Sequence, residues 1–212
     1  MKQVRKIPST RRSVSGHISY KGSPLAFEST LERDFLIYQS FRDDVLDIVP
    51  QPVSIPFNKN GRTYNYTPDY FVQVKSDFGK SLLVEVKPKS EWQENWRDWS
   101  DKWKSAMTFC KDQGFKFTVM DEDRIRHDAL ANINFLSMYK NVAVSEEEVA
   151  VVLEDIKQRG CTTVAYILER YFKSELYKQH GRRLMWHLMI NKKVKFDIWS
   201  DVRSDNLEVW YE

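Results

Sequence analysis

Cysteine is scarce in this chain. Cys110 and Cys161 lie far apart, in no C-x-x-C arrangement and with no histidine at metal-ligand spacing, which excludes a disulfide framework and a structural zinc site from the expectation. Histidine is nearly as rare, and His17, His127, His180 and His187 form no pair with a ligand partner; each is assigned an ordinary surface or core role. No apolar run approaches the roughly 18 residues of a membrane span, and the N-terminus lacks the apolar segment of a signal peptide. No internal repeat is present. A cytoplasmic, globular protein without a membrane partner is therefore expected, long enough at 212 residues for one ordinary domain and a small second one.

A strong charge of either sign is also lacking, since the formal net charge is only +3. Its distribution is uneven. Lys2, Arg5, Lys6, Arg11, Arg12 and Lys21 all precede the first acid, Glu28, and leave the rest of the chain net negative. Contact with nucleic acid would then come from local patches and from this arm, not from bulk charge. Arg5, Lys6, Arg11 and Arg12 are candidates for phosphate contact; the alternative is a solvated tail.

From Met1 to about Pro24 the Ser, Gly, Pro and basic content predicts an extended or partly ordered lead-in, with ordered structure beginning at Phe27. Ser29 or Thr30 ahead of Glu32, with Leu31, Phe35 and Tyr38 on one face, predicts a capped helix from about Ser29 to Phe41. The stretches "VLDIVPQPVSIPF" and "RTYNYTPDYFVQVKS" read as strands, the first confined to edge or irregular strand by Pro50, Pro52 and Pro56. Asn58 to Gly61 supplies a hairpin turn between them. "SLLVEVK" is a further strand, "EWQENWRDWSDKWKSAMTFCKDQG" a helix ending near Gly114, and "FKFTVMD" a strand. That order is an α/β architecture, a mixed sheet flanked by helices.

Around Val144 the character changes. Ser145 caps a helix with three acids in its first turn, and helices from about Thr162 to Phe172 and Ser174 to Ile190 follow. Two short strands around Ser204-Asp205-Asn206 complete the ingredients of a winged-helix-like module. The expected organisation is a basic arm over residues 1–26, an α/β domain over 27–143 and the winged-helix-like domain over 144–212.

The chemistry centres on Glu85 and Lys87, which a strand's period of two sends to the same face. A lone Glu-x-Lys triplet is most simply an exposed strand edge. Here Pro68-Asp69 adds a carboxylate at the start or end of a strand, and Glu32 adds another from the preceding helix. Acids that stay ionised bind Mg²⁺ through oxygen, the metal lowers the pKa of a bound water, and a lysine orients or helps deprotonate that water while countering phosphate charge. A third carboxylate completes or joins a second metal site. This is the equipment of a metal-dependent phosphodiesterase; the alternative is that Asp69 caps a turn and Glu32 pairs with Arg33 or Arg62 at the surface.

Pro68-Asp69 followed by Glu85-Val86-Lys87 resembles the PD-(D/E)xK nuclease signature. The fuller pattern of "STLERDFLIYQSF", "IVPQPVSIPF", "NYTPDYFV" and "LLVEVKP" is similar to TnsA, the endonuclease subunit of heteromeric transposases, over about Phe27 to Met120. The resemblance implies a restriction-endonuclease-like core, a bacterial cytoplasmic setting, and Glu32, Asp69 and Lys87 as catalytic residues. It further implies that Glu85 fills a metal-binding position where some members carry glutamine, and that the Val86 carbonyl is a further ligand. Mg²⁺, with Mn²⁺ as a substitute, is the implied cofactor. Double-stranded DNA at transposon ends, a TnsB-like transposase that cuts the 3′ ends and a TnsC-like AAA+ ATPase are the implied partners.

Two features are weighed apart from that motif. Trp92, Trp96, Trp99 and Trp103 form one stripe at helical spacing, expected in core packing, while Lys102 and Lys104 are candidates to face DNA. Near the C-terminus Arg182, Arg183, Lys192 and Lys193 cluster around apolar residues, as a solvated basic face or a contact for DNA or a protein partner; the resemblance implies the ATPase. Two other readings stay open: an autonomous restriction-type or junction-resolving nuclease, and a non-catalytic winged-helix DNA-binding adaptor.

Overall fold

The computed structural model describes residues 1–4 and 14–211, so Arg5, Lys6, Arg11 and Arg12 lie outside the described residues. The chain divides into two compact units, Met1–His127 and Asp128–Glu212. Among the described residues no helix is long and apolar enough to cross a membrane.

The first unit opens with a β-hairpin of β1 (Gly16–Tyr20) and β2 (Ser23–Phe27). This corrects the expectation that order begins at Phe27. The turn is made by Lys21 and Gly22, both at positive φ, the backbone that a two-residue hairpin requires. Helix α1 (Thr30–Phe41) follows, with Ser29 as its cap: Ser29 Oγ accepts from the Glu32 amide at 3.1 Å, and Glu32 Oε2 accepts from the Glu28 amide at 3.0 Å. Then come β3 (Val45–Pro50), the hairpin β4 (Ile55–Lys59) and β5 (Arg62–Tyr66), and β6 (Tyr70–Val74). Next are β7 (Leu82–Val86), the long helix α2 (Lys89–Gln113), β8 (Lys116–Met120) and the short α3 (Glu122–Ile125).

A four-stranded mixed sheet in the order β3-β6-β7-β8 is the centre of this unit. β3, β6 and β7 run antiparallel, whereas β7 and β8 are parallel because α2 carries the chain back to the sheet's starting end. One sheet face receives α2: Trp103, Ala106 and Cys110 pack with Phe71 and Leu83. The other carries Tyr70, which meets Phe35 of α1 with ring centroids 5.5 Å apart. The sheet thus lies between two helices, a restriction-endonuclease-like α/β core. Trp92, Trp99 and Trp103 of the aromatic stripe join the core, while Trp96 stays exposed beneath the Arg97 guanidinium. Burial raises the Cys110 thiol to about 11, which leaves it a packing residue.

The second unit comprises α4 (Asp128–Ser137), α5 (Glu146–Arg159), β9 (Cys161–Thr163), α6 (Val164–Tyr171), α7 (Glu175–Ile190), β10 (Lys195–Phe196) and β11 (Glu208–Trp210). Its three strands form an antiparallel sheet in the order β10-β11-β9. The unit starts earlier than residue 144 because α4 packs into it. Leu136 belongs to its core, Phe135 meets Trp186 edge-on, and Asn132 Nδ2 donates to the carbonyls of Ile198 and Ser200, each at 2.8 Å.

Gly181 marks where α7 crosses α6. A Cβ placed there would stand 2.6 Å from Leu168 Cδ2 and 2.6 Å from Phe172 Cδ2, both fully buried. Gly181→Val is expected to overpack this crossing and lower stability by roughly 1–3 kcal/mol. A thermal melt of the whole chain checks this; an unchanged melting temperature would mean that the crossing yields.

Candidate active site

Strand register brings the sequence motif together. Tyr70 pairs with Val84 and Phe71 with Leu83, so the next rung sets Asp69, just ahead of β6, across from Glu85. Asp69 Oδ2 accepts the Val86 amide at 2.8 Å, which ties the end of one strand to the other. Lys87 follows β7 and its amide continues the parallel ladder, donating to the Met120 carbonyl at 3.0 Å. Its ammonium Nζ lies 3.9 Å from Asp69 Oδ2 and 3.8 Å from Glu85 Oε1. Glu85 and Lys87 therefore share a face as the period of two requires. Pro88 then turns the chain into α2, having no amide proton to continue the ladder.

The two carboxylates are held by different donors. Tyr66, at the end of β5, donates its hydroxyl to Glu85 Oε2 at 2.6 Å. Lys102 of α2 lies 3.5 Å from Glu85 Oε1. Glu85 is 2% exposed, so these contacts replace water around it. Glu32 sits at the start of α1, with Oε1 accepting from Ser29 Oγ at 3.0 Å. The Tyr70 hydroxyl lies 2.9 Å from Glu32 Oε2 and 3.0 Å from the Ala26 carbonyl, its single proton serving one of them. Burial first, and then Glu85 beside Tyr66 and Glu32 beside Tyr70, hold both phenols far above tyrosine's ordinary range, so both act as donors.

Burial raises the Asp69 carboxyl well above the usual carboxylate range, and Glu85 and Glu32 add to it while Lys87 and the Val86 amide oppose. Burial alone would lower Lys87, but Asp69, Glu85, Glu32 and Glu91 outweigh it and hold its ammonium above lysine's ordinary value. An Asp69 carboxyl held up by burial and by the neighbouring Glu85 marks a place where a cation is welcome. Among the described residues no group of three or more His, Cys, Asp or Glu side chains stands ready to hold a metal. Asp69 and Glu85, hard oxygen donors, are the pair that fits Mg²⁺. Beside them a cleft of about 340 Å³ is lined by Glu32, Val86, Lys87, Glu91, Glu122 and Arg126.

Of the sequence-derived candidates, Asp69, Glu85, Val86 and Lys87 are brought together, and Glu32 adjoins them through Tyr70. Lys102, expected to face DNA, instead points at Glu85, whereas Lys104 is exposed on the same helix. In the second unit Arg182 is committed to Asp205 by two hydrogen bonds of 2.9 and 2.6 Å, while Arg183, Lys192 and Lys193 lie exposed. The sequence reading missed Tyr66 and Tyr70, which flank Asp69, and the place of Lys102. One signal was available: three residues after Trp99 and four before Ala106, Lys102 falls on the helix's apolar stripe.

Residues 42–122 match the family described as TnsA-like endonuclease N terminal, and residues 124–198 the family described as TnsA endonuclease C terminal. The first match contains Asp69, Glu85, Lys87 and Lys102. The chain is also similar to the head completion nuclease of Enterobacteria phage T4, 24% identical over 131 residues, taking in 50% of this chain and 86% of that protein.

Proposed function

This chain belongs to the TnsA-like endonucleases, and for this DNA endonuclease we propose a Mg²⁺-dependent role in cutting the 5′ ends of a transposon, while a separate TnsB-like transposase cuts the 3′ ends. The observation that carries the reading is the cluster of Asp69, Glu85 and Lys87, whose charged atoms lie within 3.9 Å of Lys87 Nζ.

Asp69 and Glu85 hold the metal, with the Val86 carbonyl and Glu32 in support. When bound, the ion would counter the charge that builds on the phosphate and lower the pKa of water. The protein's own groups do the rest. The Val86 amide and Tyr66 fix the two carboxylates before substrate arrives, so little reorganisation is needed on reaction. Lys87, kept as an ammonium by its neighbours, orients the attacking water and counters phosphate charge; in that state it has no lone pair with which to take a proton. The first unit, Met1–His127, is the nuclease domain. The second unit is read as a winged-helix-like module that engages a TnsC-like ATPase, with Arg183, Lys192 and Lys193 on its basic face and Arg182 bracing the turn before β11.

A second reading is a nuclease that acts outside transposition and without partners; the similarity to a protein named as a phage head completion nuclease favours the first half of it, a nuclease outside transposition. Strand-specific cleavage of DNA bearing the element's ends separates the two. Cuts at the 5′ ends that need Mg²⁺ and the partner subunits support the first; full-rate cleavage by the chain alone supports the second, and full-rate cleavage in EDTA overturns the metal.

A further inference from the structure

We propose that Lys102 is a positioning residue whose charge sets the balance between metal binding and DNA binding at the nuclease site. The inference rests on the reading that Asp69 and Glu85 hold the metal, and deepens it.

A lysine on the buried face of a helix is costly unless its charge is matched. Lys102 is matched on several sides. Its Nζ lies 5.0 Å from the centroid of Tyr66 and 4.5 Å from that of Trp99, and 3.5 Å from Glu85 Oε1, with only 19% of the side chain exposed. Aromatic faces attract a cation at such distances, so the rings hold the ammonium where it is. Tyr66 belongs to this box and also donates to the other oxygen of Glu85. One carboxylate is thus clamped at both oxygens, and one clamp is a full positive charge.

The charges then decide what the site accepts. Asp69, Glu85 and Glu32 oppose Lys87 and Lys102, and Glu91, Glu122 and Arg126 line the cleft beside them, so five acids face three bases. A divalent cation offsets that excess of acids and so lessens the repulsion of a phosphodiester. Each ligand therefore favours the other, by the same factor in both directions. Lys102 competes with the metal for Glu85 while DNA is absent and welcomes the phosphate once the metal is in place. Without Lys102 the site is more negative, takes metal more readily by itself and repels DNA more strongly.

The test is a Mn²⁺ titration of the whole chain without DNA, followed by the electron paramagnetic resonance of the free ion. Lys102→Met is expected to bind Mn²⁺ about tenfold more tightly than the wild type, the scale of one charge acting across a partly solvated site. Lys102→Gln, a second neutral variant, should do the same if the methionine variant folds poorly. Lys102→Arg, which keeps the charge, and Lys104→Met should match the wild type. In EDTA, Lys102→Met should bind duplex DNA several-fold more weakly. Asp69→Asn is the control for the metal reading and should lose Mn²⁺ binding. If it does so while both neutral Lys102 variants bind Mn²⁺ no more tightly than the wild type, the lysine only packs and this inference falls alone. If Asp69→Asn binds Mn²⁺ normally, the metal assignment falls and takes this inference with it.

Discussion

Asp69→Asn is expected to lower strand cleavage by at least about a thousandfold while leaving a protein no less stable than the wild type. The loss follows from removing one of two carboxylates that face the proposed metal, whose charge stabilisation is worth several kcal/mol, and each 1.4 kcal/mol or so is a factor of ten in rate. The fold should survive because an asparagine oxygen can still accept the Val86 amide that Asp69 Oδ2 now accepts at 2.8 Å. Stability should even rise in metal-free buffer at neutral pH. The folded-state pKa of Asp69 is raised, by burial first and by Glu85 next, so the folded chain binds this proton more tightly than the unfolded chain does. The stabilisation from that proton is complete below the unfolded value of about 3.9 and is lost as pH rises through the folded value. Asparagine carries no such charge, so its advantage over the wild type should appear at neutral pH and shrink toward pH 4 or so. Melts in EDTA across that range, beside cleavage assays, check both halves. Normal cleavage would remove Asp69 from the site, and an unfolded variant would make it structural.

Lys87→Ala should slow 5′-strand cleavage by at least about a hundredfold, the usual scale for a positioned group acting on the transition state. Its ammonium touches both carboxylates at just under 4 Å and is 26% exposed at the side chain, so it can reach a phosphate without leaving the cluster. The effect should fall on rate, with complexes of DNA and partner subunits still assembling. Cuts at the 3′ ends should continue, because that chemistry would belong to another polypeptide. The diagnostic product is an element joined to new DNA at its 3′ ends and still attached to the donor at its 5′ ends. Separation of such branched species on denaturing gels is the measurement. Normal cutting of both strands would reduce Glu85-Val86-Lys87 to a charged sheet end.

Much of the first unit could be read along the chain. Ser29 three residues ahead of Glu32 announced α1, the Asn58–Gly61 stretch announced the β4–β5 hairpin, and Gly114 closed α2 in the left-handed conformation that glycine adopts at helix ends. The spacing of Pro68-Asp69 and Glu85-Val86-Lys87 carried the family resemblance. The β1–β2 hairpin was missed because Ser, Gly and Pro are common to turns and to disordered chain, and there the pairing partner decides which. The start of the second unit was misplaced because α4 declares its allegiance only through Asn132, Phe135 and Leu136, whose partners lie far along the chain.

Capping, helical and strand periods, and turn chemistry act over a few residues, and those the sequence determined by itself, together with the motif that places this chain among nucleases. Which atoms surround Glu85 was settled elsewhere. Its rung opposite Asp69 depends on the register of β6 against β7, and its clamp depends on how α2 docks. Trp103, Ala106 and Cys110 anchor that helix on Phe71 and Leu83, and the rotation they impose turns Lys102 toward Glu85 and Lys104 toward solvent. Two lysines on one turn of a helix are chemically alike in the sequence; burial and the nearest opposite charge make one of them part of the site.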